Sequence, residues 1–77
     1  MEDEYVVEPL TPLEKKVLSL LAEGLRNKEI ATCLHLADNT ARHYVSNIIG
    51  KLQARNRVHA VAIAVRYGLV EFTPYEN

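Results

Sequence analysis

Three residues, His35-Leu36-Ala37, are all that separate two stretches of helical periodicity, and this spacing constrains the chain more than any other feature. Before them, Ile30, Ala31 and Leu34 recur on one helical face, with Asn27 placed to cap a short helix over Lys28–Leu34. After them, Ala41, Val45, Ile48 and Leu52 form one apolar stripe with Ile49 on its shoulder, which predicts a longer helix opened by Asp38 or Asn39. So short a connection must be a tight turn, with Leu36 expected to plug into the core.

The flanks read as two further helices. Leu10-Thr11-Pro12-Leu13-Glu14 is a strong start: Thr11 can cap, Pro12 lacks only an N–H that would have no partner there, and Glu14 completes a capping box. Leu13, Val17, Leu18, Leu20 and Leu21 carry the periodicity to a stop at Gly24, giving a helix over about 12–23. A connector, Gln53–Asn56, precedes a fourth helix from about Arg57 to Tyr67, stopped by Gly68. No strand is needed. The expectation is an all-α four-helix bundle with an acidic flexible arm over 1–9, one domain over 10–72 and a tail over 73–77.

Seventy-seven residues with 48% hydrophobic side chains and no Trp call for one core built from Leu, Ile, Val and Ala. The net charge of −1 conceals a partition. Residues 1–10 contribute −4 through Glu2, Asp3, Glu4 and Glu8. Residues 26–59 contribute +4, with Arg26, Lys28, Arg42, Lys51, Arg55 and Arg57 against Glu29 and Asp38. A locally basic middle fits a polyanionic partner better than the total suggests.

Other chemistries find no support. No apolar run approaches the roughly 20 residues that span a bilayer, and the Met-Glu-Asp-Glu start is unlike a secretory signal, so a cytoplasmic protein without membrane attachment is expected. Cys33 stands alone and reads as a small packed residue in a reducing compartment. His35, His43 and His59 do not make a metal site with it, because Cys33 and His35 crowd one short element. There is no Ser/His/Asp set, carboxylate pair or glycine-rich loop, so neither an enzyme nor a cofactor is expected.

Two helices about a tight turn, the second longer and presented by a small bundle, form a helix-turn-helix. The resemblance then becomes specific. Leu10-Thr11-Pro12-x-Glu14, Val17-Leu18, Ala22-x-Gly24, Asn27-Lys28-Glu29-Ile30-Ala31, Thr40, Asn47-Ile48, Lys51-Leu52, Asn56-Arg57, Ala60, Ala64 and Gly68-Leu69 resemble the LuxR/FixJ/GerE family from about residue 10 to residue 70. Region 4 of sigma factors shares the Glu-Ile-Ala turn but does not normally carry the pattern of the fourth helix. The resemblance implies a LuxR-type C-terminal effector domain-like fold and sequence-specific binding of double-stranded DNA by a bacterial transcription regulator. The protein would be free-standing or the end of a longer one.

In this motif the second helix enters the major groove. With the core stripe fixed, about 100° per residue places Arg42 and Ser46 on one flank, His43 and Asn47 opposite the core, and Thr40, Tyr44 and Lys51 on the other flank. Arg42, which can fork to guanine, and His43 and Ser46 are the expected base contacts, as the resemblance also implies. Lys28, Thr40, Tyr44, Asn47 and Lys51 are expected on the DNA backbone; Lys28 is poorly placed for its helix macrodipole, which a nearby phosphate would offset. Val58, Ala62 and Val65 leave an outward apolar stripe on the fourth helix. By resemblance it joins two copies as a homodimer, while Val61, Ala64 and Leu69 face the core. RNA polymerase is a further candidate partner. The alternative is an interaction module of the same fold that dimerises with or blocks a related regulator without productive DNA binding.

Three positions depart from the family pattern. Ala37 stands where Ser or Thr commonly caps the recognition helix, so Asp38 is expected to take over. Ala41 replaces a Val, and Tyr44 a His.

Overall fold

The computed structural model describes residues 9–70, which form four helices and no strand: α1 (Pro12–Ala22), α2 (Asn27–Leu34), α3 (Asp38–Lys51) and α4 (Arg57–Arg66). The expected arm and tail lie largely outside the described residues. The capping box at α1 is present in full: the Thr11 hydroxyl accepts from the Glu14 N–H at 3.1 Å, and the Thr11 N–H donates to Glu14 Oε1 at 2.9 Å. Gly24, at φ +90°, and Gly68, at φ +71°, follow α1 and α4 in the left-handed region that side chains rarely adopt.

One core joins all four helices. Val17, Leu18 and Leu21 from α1, Ile30 and Ala31 from α2, Ala41, Val45 and Ile48 from α3, and Ala60, Ile63 and Ala64 from α4 are buried together with Leu52 and Val70. The expected α3 stripe is buried, with Ile49 half-buried beside it. On α4 the inward register differs from expectation. Ala60 and Ile63 are buried with Ala64, while Val61 and Leu69 are only half-buried and pack against the cluster's margin. An apolar-rich helix offers two candidate stripes, and the neighbours it packs on choose between them.

The ends of α2 and the start of α3 correct three expectations. Asn27 is the first residue of α2 and not its cap; Arg26 holds the cap position, and its N–H is bonded by Glu29 Oε1 at 2.8 Å. Leu36 does not plug the core: it is half-buried and outside the packed cluster. What closes the turn is backbone. His35 adopts φ 58°, and the Leu36 N–H reaches back to the Ala31 carbonyl at 2.8 Å, a Schellman-like stop that needs no side-chain anchor. Asp38 likewise does not replace the missing cap. Ala37 occupies the cap position with no side-chain bond, and Asp38 is the first helical residue, where its charge favours the positive end of the α3 dipole. At α4, by contrast, Asn56 Oδ1 caps the His59 N–H at 2.8 Å.

No helix among the described residues is long and apolar enough to cross a membrane.

Candidate nucleic-acid interface

Burying Ala41, Val45, Ile48 and Leu52 obliges the rest of α3 to face outward. Arg42, His43, Ser46 and Asn47 are all exposed. Arg42 and Ser46 are four residues apart, as are His43 and Asn47, so each pair stacks along the axis on adjoining strips of one surface. Thr40 is exposed in the first turn of the same helix. Among the described residues no acidic side chain pairs with Arg42 and no hydrogen bond engages its guanidinium. α3 thus presents an uncommitted fork of donors beside small polar side chains, flanked by few bulky groups.

Two residues expected on the DNA backbone are engaged with the rest of the domain. Tyr44 is half-buried and packs against the core. Lys51 turns away from the exposed strip: its Nζ donates to Glu14 Oε1 at 2.8 Å and to the Pro9 carbonyl at 3.2 Å. Lys51 lies on the α3 flank that closes onto the start of α1, where the scaffold engages its ammonium. Glu14 is the one buried charged side chain among the described residues. The Lys51 bond, then the Thr11 backbone N–H, hold its carboxyl below the usual 4.5 against the opposing effect of burial.

Lys28 is exposed in the first turn of α2, again with no acidic partner among the described residues. Beside it lies a connection that the spacing of the sequence did not reveal. Arg57, the first residue of α4, donates through Nη1 to the Leu25 carbonyl at 3.3 Å and through Nη2 to Asn27 Oδ1. The partners are 30 and 32 residues apart, so no periodicity could have paired them; both Asn27 and Arg57 belong to the stretches that resemble the family. On α4, Val58 is 75% exposed, Val65 is 42% exposed and Ala62 is exposed between them, so the outward stripe exists as a continuous strip.

Among the described residues no three His, Cys, Asp or Glu side chains gather to hold a metal ion, and Cys33 is exposed and not packed as expected.

Comparison with known proteins agrees with this arrangement. Residues 8–64 match the family described as "Bacterial regulatory proteins, luxR family". The transcriptional regulatory protein LnrK of Bacillus subtilis (strain 168) is 48% identical over 63 residues, covering 82% of this chain and 29% of its own length. DesR of the same organism is 47% identical over 62 residues, covering 79% of this chain and 31% of its own. The chain therefore spans about three-tenths of the length of these relatives. The structure of the transcription factor GerE superimposes with a TM-score of 0.75 at 31% identity, covering 80% of this chain and 92% of that one. A Vibrio cholera VqmA–ligand–DNA complex shares the fold at a TM-score of 0.77 and 23% identity, covering 96% of this chain and 32% of that one. With its four-helix core, its three-residue turn and a family match over most of its length, this chain belongs to the luxR family of bacterial regulatory proteins.

Proposed function

We propose that this domain binds double-stranded DNA sequence-specifically as a bacterial transcription regulator, with α3 in the major groove. The observation that carries this reading is the exposed face of α3. Arg42, His43 and Ser46 lie together there opposite a fully buried stripe, and Arg42 has no protein partner among the described residues. Buried on one side and donor-rich on the other, α3 is a rigid ruler about 21 Å long, of a width that the major groove admits. Arg42 is assigned to a guanine and His43 and Ser46 to neighbouring base edges, with Lys28, Thr40 and Asn47 on phosphates. The names of LnrK and DesR, transcriptional regulatory proteins, and of the transcription factor GerE support the same role.

The strip of Val58, Ala62 and Val65 supports a two-fold dimer in which α4 packs antiparallel on its copy, setting two recognition helices about one DNA turn apart. Affinity measured on a selected site and on scrambled DNA across a salt series tests the reading. Arg42→Ala is expected to weaken the selected site by about 1–3 kcal/mol and to relax preference at one base position per half-site. Lys28→Ala is expected to weaken both DNAs alike and to shallow the salt slope by about one unit per monomer. If Arg42→Ala weakens both DNAs equally, it is a backbone contact; if the parent binds no DNA at low salt, the reading is wrong.

A further inference from the structure

The first turn of α2 has an unusual construction. Its cap residue, Arg26, carries no acceptor, so only the return bond from Glu29 to the Arg26 N–H is formed. Asn27 has a side chain suited to capping, but its oxygen is turned toward α4, where Arg57 binds it while also holding the Leu25 carbonyl. An arginine has five donors and no acceptor, so the Asn27 carboxamide can meet it only through Oδ1. The planar amide then places its NH₂ group on the side away from Arg57. Among the described residues that NH₂ has no acceptor, and neither do the backbone N–H groups of Asn27 and Lys28. Three kinds of donor therefore belong to the first turn of one helix: the carboxamide, the backbone amides and the exposed Lys28 ammonium.

We infer that Arg57 is a positioning residue for DNA-backbone binding, turning the Asn27 carboxamide so that its NH₂ group donates to a phosphate beside Lys28. In a helix-turn-helix the first helix crosses the DNA backbone, which brings the start of α2 to the phosphates. The inference rests on the DNA reading above and adds to it two residues and an order of action. Arg57 touches no nucleotide; it acts through Asn27. Because Arg57 begins the helix bearing Val58, Ala62 and Val65, the same clamp ties the self-association strip to the phosphate-facing end of α2.

The test is a double-mutant cycle on the whole chain, read on scrambled duplex DNA over a salt series, with thermal melting run in parallel. Asn27→Ala should lower affinity roughly tenfold, the usual effect of losing a hydrogen bond to a charged group, without changing the salt slope, because a neutral donor displaces no counterion. Lys28→Ala should change the slope. Arg57→Gln should lower affinity in the parent but add nothing in the Asn27→Ala background, and Arg57→Lys, which keeps a cationic donor group without the fork, should recover part of the loss. Nitrogen-15 NMR should show the Asn27 side-chain NH₂ resonance moving as DNA is added. If Asn27→Ala lowers the melting temperature but leaves affinity unchanged, the clamp is structural only and the inference is overturned. Equal losses from Arg57→Gln or Arg57→Lys in both backgrounds would make Arg57 a direct or long-range electrostatic contact, again overturning it. If Lys28→Ala behaves as expected while Asn27→Ala does not, this inference alone fails; if the parent binds no DNA, the DNA reading fails with it.

Discussion

Replacing Lys51 with Met keeps most of the aliphatic stem while removing the ammonium from Glu14 and from the Pro9 carbonyl. The Glu14 side chain is 7% exposed and the Lys51 side chain 25% exposed, so the change leaves a nearly buried carboxylate with only the Thr11 N–H as donor. Breaking a fully buried pair in this way costs about 3–5 kcal/mol; water reaching the quarter-exposed lysine site reduces the expectation to about 1.5–3 kcal/mol. For a domain of this size that is a fall in melting temperature of about 6–24 °C. The loss should depend on pH. In the parent, the Glu14 carboxyl titrates below its ordinary 4.5, so its stabilisation is complete above that value and disappears as pH falls through the lower folded one. Lys51→Met removes the largest cause of that lowering and leaves burial opposed only by the hydrogen bonds of Thr11, so the parent and the variant should converge in stability on the acid side of 4.5. Melting followed by far-UV circular dichroism at a series of pH values measures both. Titrating scrambled DNA over a salt series adds a third arm: a lysine engaged with Glu14 leaves the salt slope unchanged when it is removed, whereas a phosphate contact shallows it by about one unit. A variant that melts with its parent at neutral pH, or that shallows the slope, would refute this account of Lys51.

Glu14→Gln should flatten the acid-side stability profile, since it removes the titrating group, and urea unfolding at neutral and acid pH checks this. Val65→Glu should leave the monomer folded, as its side chain is already exposed, while abolishing cooperative binding to a two-half-site DNA; undiminished cooperativity would place the dimer seam elsewhere. Gly24→Val and Gly68→Val should each lower stability by about 1–2 kcal/mol or more. The added Cβ meets no atom within 4 Å at either site, so contact of that carbon adds nothing to the cost of the positive φ, which urea unfolding measures.

Four helices, their order and their bounds to within about one residue were legible in the sequence because each signal is local. A capping box spans three residues, a glycine stop one, and an apolar stripe fixes a helical face wherever the helix is packed. The same local logic put Arg42, His43 and Ser46 on an exposed strip of α3, since burial of Ala41, Val45 and Ile48 leaves them nowhere else to face.

Tertiary structure decided the rest, wherever two local solutions were of similar energy or the partner lay far away in the chain. α4 had two apolar stripes, and the surfaces of α1 and α3 selected Ala60, Ile63 and Ala64. The α2–α3 turn is closed by the left-handed His35 and a backbone bond, so Leu36 was not needed as an anchor. Asn27 was available as a cap until Arg57, 30 residues away, claimed its oxygen, and Lys51 was available to a phosphate until Glu14, 37 residues away, took its ammonium. Periodicity can tell which face of a helix a residue lies on. Which charge or donor meets it there depends on how the helices pack, and that is a property of the assembled bundle.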